Sequence, residues 1–300
     1  MEQTSLLIVG GGPAGLSAAL VAGRARLQTV LVDAGEPRNA VTGASHGFLT
    51  RDGVHPLELQ AIGRAQLEPY RSVTLHRGRV VDAELRPGGV LVRADDGTEW
   101  LAERVIFATG QRTRLDLVGI PGIEEVYGRS VFPCPFCDGF EHADLPLAVF
   151  APDAHLATMV RMWSDDVVLF TNGGPGDDAE HRELHERGIR VERSPIVALT
   201  HDQGQLLSVA LESGAIVERR AGFLGEEHWA PATDLPTKLG VPMGTNPMGM
   251  AHYVADPFGK TEVEGVYVIG DLAQVFASVI GAASQGHACA AGIVRELAFG

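Results

Sequence analysis

The sequence predicts an α/β chain of two Rossmann-like domains, the second inserted in the first. Three observations predict it. Residues 6–33 carry a complete strand, glycine loop, helix, strand and terminal acid. Two further apolar strand ends, Val105–Ala108 and Val266–Ile269, lie far along the chain. A new pair of apolar strands, Leu147–Phe150 and Val167–Phe170, opens a second such unit between them. A chain of 300 residues is long enough for two cores.

The first unit starts with Leu6-Leu7-Ile8-Val9, an apolar run suited to a buried parallel strand. It enters Gly10-Gly11-Gly12-Pro13-Ala14-Gly15 and then the alanine- and leucine-rich stretch 16–25, which reads as a helix. Val30-Leu31-Val32 follows and ends at Asp33. This is G-x-G-x-x-G between strand and helix, with an acid closing the next strand. Gly10 permits the tight turn, Gly12 lets backbone approach a pyrophosphate, and Gly15 lets helix pack on strand. The helix N-terminus offers N–H groups and partial positive charge to phosphates, and Asp33 can accept from a ribose. The unit binds a dinucleotide; by itself it does not choose between FAD and NAD.

Composition narrows the function. The chain is 45% hydrophobic and 21% charged, which fits a globular protein and neither a disordered nor a fibrous one. A formal net charge of −14 argues against a nucleic-acid partner. No run of about 18 apolar residues is present to span a membrane. The N-terminus holds acidic Glu2 and no basic segment, so the cytoplasm is the expected location. There are three cysteines, and Cys134 and Cys137 form a C-x-x-C, a spacing that reads as redox-catalytic or metal-binding. A closed zinc site wants four ligands; Cys289 lies in an apolar C-terminal segment and His142 alone does not complete a set. No metal is therefore expected. Two thiols at this spacing on a turn can close a strained disulfide that exchanges with other dithiols, and Asp138 beside them can shuttle the proton.

Ala108-Thr109-Gly110 and Gly270-Asp271, each at a strand end, resemble the turns of the two-domain flavoprotein disulfide reductases. Cys134-Pro135-Phe136-Cys137-Asp138-Gly139 closely resembles the C-x-x-C-D-G motif of the low-molecular-weight thioredoxin reductases. The resemblance covers essentially the whole chain and implies two FAD/NAD(P)-binding domains. It implies FAD in the first, held by Gly10, Gly12, Pro13, Ala14, Gly15 and Asp33, with Ala108, Thr109 and Gly110 closing the site. Asp271, after Gly270, would contact the ribityl–phosphate region, and Val279 and Ile280 would approach the isoalloxazine. Cys137 would face the flavin, Cys134 would exchange with substrate, and Asp138 would serve as acid and base. The partner would be a small dithiol or disulfide, or a thioredoxin-like protein, and the assembly a homodimer.

The resemblance also implies a second glycine fingerprint after Leu147–Phe150. The positions that hold Gly, Gly and Ala or Gly in NADPH-linked relatives hold Ala151, Asp153 and Leu156 here. Asp153 would repel a pyrophosphate, and Pro152 removes an N–H donor. The loop 171–177 carries none of the arginines that bind a 2′-phosphate in those relatives. The central domain is expected to keep its fold and to have lost its pyridine nucleotide; binding through a divergent loop is the alternative. Two groups of relatives lack this fingerprint: FAD-dependent dithiol oxidases of antibiotic pathways, which pass electrons to oxygen, and ferredoxin-linked thioredoxin reductases. The segment 46–53 and the proline in Cys134-Pro135-Phe136-Cys137 bring the chain closer to the oxidases. A non-catalytic flavin-bound redox sensor is the rival of another class.

The expected division is 1–113 plus 236–300 for the FAD domain and 114–235 for the central one. Alternating apolar positions over 70–110 (Val73, Leu75, Val80, Val90, Val92) predict an antiparallel hairpin add-on. His46 and His287 are candidates for the neighbourhood of the redox centre. Trp100, Trp163 and Trp229 are expected to pack in the core rather than stack on a flavin.

Overall fold

The computed structural model describes residues 1–174, 178–245, 250–274 and 276–299. The chain divides into two compact units. One comprises Met1–Ala40, Phe48–Arg112 and Trp229–Gly300, the other Val41–Gly47 and Thr113–His228. The chain thus returns to the first unit at Trp229, ahead of the break expected at 236, and a short piece, Val41–Gly47, clusters with the second.

In the first unit, strand Glu2–Val9 lies between Thr29–Asp33 and Glu99–Phe107, parallel to both. Leu6 and Ile8 point to one face, where they pack with Ala18, Ala19 and Ala22 of helix Pro13–Arg24 and with Cys289. Leu7 and Val9 point to the other, where they pack with Val92, Trp100 and Leu235. The strand's alternation thus builds two cores from one apolar run. Glu99–Phe107 changes neighbour along its length: Glu99–Ala102 pair antiparallel with Gly89–Ala94, whereas Val105–Phe107 pair parallel with Val266–Val268.

The hairpin expectation for 70–110 holds for Val80–Arg86 and Gly89–Ala94, which pair antiparallel. It fails for Val73 and Leu75. Val73–Arg77 is a parallel edge strand beside Thr29–Asp33. An edge strand with one face half-open carries the same period-2 pattern as a hairpin, so the pattern alone does not separate them.

The last helix, Val279–Phe299, packs on helix Pro13–Arg24 within this unit. The approach is backbone to backbone: a Cβ at Gly286 would run into the Ala14 carbonyl oxygen. Gly286→Val is therefore expected to destabilise the protein by about 3 kcal/mol through overpacking, with loss of FAD, as measured by urea unfolding and flavin absorbance.

The second unit has a five-stranded parallel sheet, in the order Arg190–Glu192, Val167–Phe170, Leu147–Phe150, Ala221–Leu224, Val131–Phe132. Ala148 and Phe150 face one core and Leu147 and Val149 the other, as in the first unit. A three-stranded antiparallel sheet, Ile196–Asp202, Gln205–Leu211 and Ile216–Glu218, completes it. Among the described residues no helix is long and apolar enough to cross a membrane.

Candidate active site and nucleotide loops

The two thiols belong to the second unit. Strand Val131–Phe132 leads through Pro133 into Cys134, which caps the short helix Pro135–Asp138. Pro135 suits the first helical position because it has no N–H to leave unpaired. Cys134 and Cys137 are half-buried thiols, and the Cys134 sulfur is hydrogen-bonded to the Cys137 side chain. That bond holds the Cys134 thiol below its ordinary value, helped by the backbone N–H groups of Cys137 and Phe136. Burial and the Asp138 carboxylate oppose them. The net effect is a Cys134 thiol that ionises more readily than an ordinary cysteine's, and the thiolate is the form in which a cysteine attacks a disulfide.

Asp138 closes the same turn. Burial pushes its carboxyl up to about 7; Glu141 adds repulsion, and His46 pulls the other way. A carboxyl with this value is divided between acid and base at neutral pH, as a proton shuttle requires. His46, in the short piece that clusters with this unit, lies 3.5 Å from the Glu141 carboxylate. His142 is engaged otherwise: Nδ1 is 2.8 Å from the Asp138 carbonyl, and its ring leans on Phe132. Around the pair, Phe136 and Phe140 are 72% and 82% exposed, and Phe136 meets Trp163 edge-on.

The first unit holds the glycine loop as expected from its spacing. Gly10 has φ +104, and a Cβ there would lie 2.6 Å from the Ala108 carbonyl oxygen. The loop therefore packs against Ala108-Thr109-Gly110 at the end of the neighbouring strand. Gly12 faces open space and caps helix Pro13–Arg24 without any side-chain hydrogen bond, so the helix terminus stays available to an anion. Asp33 accepts from the Gly11 N–H at 3.0 Å and from Arg64 at 3.0 Å. A carboxylate has about four lone-pair sites, so capacity for a ribose remains. Beside it lies a cleft of about 400 Å³ lined by Leu31, Asp33, Gly35, Leu57, Arg64 and His76, among others. The Thr109 hydroxyl is buried without a hydrogen-bond partner among the described residues. An open helix terminus, a cleft beside the acid and an orphaned hydroxyl fit a dinucleotide such as FAD.

Gly270 packs on Ala14, and Asp271 follows it. The Asp271 carbonyl accepts from Gln111 Nε2 at 2.8 Å, and its carboxylate accepts from Arg38 at 3.0 Å. Burial pushes this carboxyl up, and Arg38 opposes the shift. Val279 and Ile280 open the last helix, Ile280 being exposed. His287 is exposed on that helix. Cys289 is fully buried, and burial pushes its thiol up.

In the second unit the corresponding loop is filled by acid. Asp153 caps helix Ala154–Val160, its Oδ1 accepting from the His155 N–H at 3.0 Å. The Ala154 N–H donates to Glu180 Oε1 at 2.9 Å. A third carboxyl, Glu227, is pushed up by burial and further by repulsion from Asp153. Asn172 is tied down, its Oδ1 accepting from the Ile196 N–H at 2.8 Å. Thr171–Gly174 carry no arginine; residues 175–177 of that loop lie outside the described residues. The charges decide what the loop can hold. A helix terminus attracts an anion by about 1 kcal/mol, whereas one carboxylate 4 Å from a phosphate repels it by about 4 kcal/mol at an effective dielectric of 20.

Sequence reasoning singled out Asp153 but missed Glu180, which comes from a charged helix, Asp178–Glu186, with nothing in its spacing to set it apart. It missed Arg38 as well, an ordinary loop arginine by sequence. A basic residue just beyond the first βαβ unit was the one available signal.

The family model for pyridine nucleotide-disulphide oxidoreductases matches residues 4–159. Among curated proteins, thioredoxin reductase aclD of Aspergillus oryzae is 29% identical, covering 98% of this chain and 96% of its own. A thioredoxin reductase of Streptomyces clavuligerus is 28% identical, with 99% and 95% covered. Among solved structures, an oxidoreductase from Agrobacterium tumefaciens superposes with a TM-score of 0.90 at 36% identity, over 100% of this chain and 99% of its own.

Proposed function

The chain belongs to the pyridine nucleotide-disulphide oxidoreductase family, in its thioredoxin reductase-like, FAD-binding branch, and from that premise we propose that it oxidises dithiols through Cys134 and Cys137 without NADPH, with oxygen as the final acceptor. The observation that carries this reading is the acid-filled loop of the second unit. Asp153 and Glu180 already accept the N–H groups that a pyrophosphate would take, and Glu227 adds a third carboxyl beside them.

FAD would be held by Gly10, Gly12, Pro13, Ala14 and Gly15, with Asp33, Ala108, Thr109, Gly110, Gly270 and Asp271 around it and Val279 and Ile280 at the last helix. When bound, it supplies a two-electron acceptor that oxygen can regenerate. The protein's own groups do the rest. With Cys134 and Cys137 joined as a disulfide, a substrate thiolate attacks Cys134 Sγ, the enzyme S–S bond breaks, and Cys137 leaves as a thiolate. The second substrate thiol then displaces Cys134. The products are one substrate disulfide and two enzyme thiols. Asp138 accepts the proton that the substrate thiol gives up.

Anaerobic flavin reduction tests the reading. Small dithiols are expected to bleach the 450 nm band within seconds, and NADPH at millimolar concentration to leave it unchanged. In air, dithiol turnover should consume oxygen and yield peroxide with no nucleotide added. Rapid bleaching by NADPH would overturn it.

A second reading is favoured by the exposed aromatic rings of Phe136 and Phe140 beside the thiols. Such a surface suits a protein disulfide, and the curated relatives bear the name thioredoxin reductase. Thioredoxin as the better substrate in the same assay would select this reading.

A further inference from the structure

The helix that carries the thiols is too short to hold its own shape. Pro135–Asp138 is four residues long. Three backbone hydrogen bonds close it: the Cys137 and Asp138 N–H groups donate to the Cys134 carbonyl, and the Gly139 N–H donates to the Pro135 carbonyl. A single turn fixes many dihedral angles for few bonds, so on its own it unwinds in water. The sulfurs depend on that turn. In the reduced pair the Cys134 sulfur is hydrogen-bonded to the Cys137 side chain, and a disulfide between them needs Cβ atoms about 3.5–4.5 Å apart. Something outside the turn must keep it wound.

The Trp163 indole is placed to do so, and it lies in the same unit. The Phe136 ring meets it edge-on, with centroids 5.4 Å apart and planes at 89°. Three residues on, a Cβ at Gly139 would stand 2.9 Å from Cδ2 and Cε2 of the indole. Positions three apart share one face of a helical turn, so the indole underlies that face as far as the cap. Only glycine at 139 lets the ring come so close. The indole is itself held in place. The Trp163 N–H donates to the Val160 carbonyl at 2.9 Å, and the Trp163 carbonyl accepts from the Asp144 N–H at 2.8 Å. Beside it the buried Ser164 donates from Oγ to the Leu145 carbonyl at 2.6 Å. Trp163 is thus the fixed block, and the redox turn is the part it supports.

We propose that Trp163 is a positioning residue for the redox pair: its indole clamps the turn that carries Cys134 and Cys137 and holds the two sulfurs in register for exchange. The inference rests on the reading that these thiols turn over dithiols. Trp163 carries no charge. The titratable groups facing Cys134 are Cys137 and Asp138. Asp138 in turn faces His46 and Glu141, and its carbonyl meets His142. On the tryptophan's own segment Arg161 and Asp165 pair with each other. A change in Cys134 ionisation on removing Trp163 therefore reports a change of position, with every one of these charges still present.

The test uses holoenzyme variants and two readings: dithiol turnover, and the pH profile of Cys134 alkylation in the reduced protein, followed by peptide mass spectrometry. Trp163→Ala is expected to slow turnover about 10- to 100-fold, the cost of reacting groups misplaced by about 1 Å. It should also move alkylation to higher pH, because the hydrogen bond from Cys137 loosens with the turn. Trp163→Phe, which keeps a ring against Phe136, should recover most of both losses. Phe170→Leu is the control. Phe170 is buried in the core on the other face of the same sheet, stacked on Phe150. Its replacement should lower Tm yet keep turnover within about threefold of wild type and the alkylation profile in place. A Trp163→Ala protein that melts earlier but keeps the wild-type profile would make the tryptophan a packing residue and sink the proposal. So would a Phe170→Leu protein of equal Tm whose profile moves as far. If wild-type protein turns over no dithiol, the proposed function fails instead, and the alkylation profiles still decide the role of Trp163.

Discussion

Replacing Cys137 by serine is expected to abolish dithiol turnover, a loss of roughly 1000-fold or more, while the purified protein stays yellow with bound FAD. Serine nearly matches cysteine in size, so the helix Pro135–Asp138 and its half-buried surroundings are preserved. What is lost is the ability to form and break a bond with Cys134. FAD retention follows from the division of the chain: the thiols lie in the second unit and the glycine loop in the first. A Cys137→Ala variant, which has no donor there, would in addition remove from the Cys134 thiol the side-chain hydrogen bond that does most to hold it below its ordinary value. Alkylation of Cys134 in the Cys137→Ala variant should therefore need higher pH than in the reduced wild type. Turnover that survives this substitution would mean that the bound flavin and the thiols never communicate, as in a redox sensor.

Asp138→Asn is expected to slow turnover by about 100- to 10,000-fold, the usual contribution of a positioned acid–base group, and to remove a pH limb. The sign depends on direction. In dithiol oxidation Asp138 must start as a carboxylate in order to accept the substrate proton. Burial raises its carboxyl to about 7, so the rate should climb as pH passes through 7 and then level off. In disulfide reduction Asp138 must start protonated, and the rate should fall over the same interval. The slope of the wild-type profile thus reports the working direction, and the Asn variant should be flat in either case. His46→Ala, which removes the charge opposing the rise, should move the limb to higher pH. The same shift acts on stability with a definite sign. Asp138 contributes fully below the ordinary carboxylate value of 3.8, and the contribution is lost as pH rises through about 7.

Much of this site is legible in local sequence because local geometry dictates it. A turn at φ +104 pressed against the next strand needs glycine, which is why Gly10 announces itself. Cys134, Cys137 and Asp138 sit within one short helical turn, so their proximity follows from spacing. The failing second fingerprint is legible for the same reason, since Asp153 occupies the cap position itself. Contacts between distant segments are not legible. Glu180 reaches the Ala154 N–H from another helix, and Arg38 meets Asp271 and Trp229 from the far end of the chain. No periodicity encodes either meeting. Trp229 illustrates the limit: the sequence marks it as a packing residue, and its partner proves to be a cation. The strand Val73–Arg77 fails differently, because alternation describes which face is wet and says nothing of the neighbour's direction.

Cys289, sealed under Gly259 with its sulfur 3.5 Å from where a Cβ there would stand, has a bearing on how the chain ages under oxidant. Burial holds its thiol well above the ordinary value, which makes it a poor nucleophile toward a disulfide and a poor target for peroxide. The one remaining sulfur pair can then open and close repeatedly without a third sulfur to scramble it. If oxygen is the acceptor, as proposed above, the peroxide made at each turnover would meet no third reactive thiol from which mispaired bridges could accumulate.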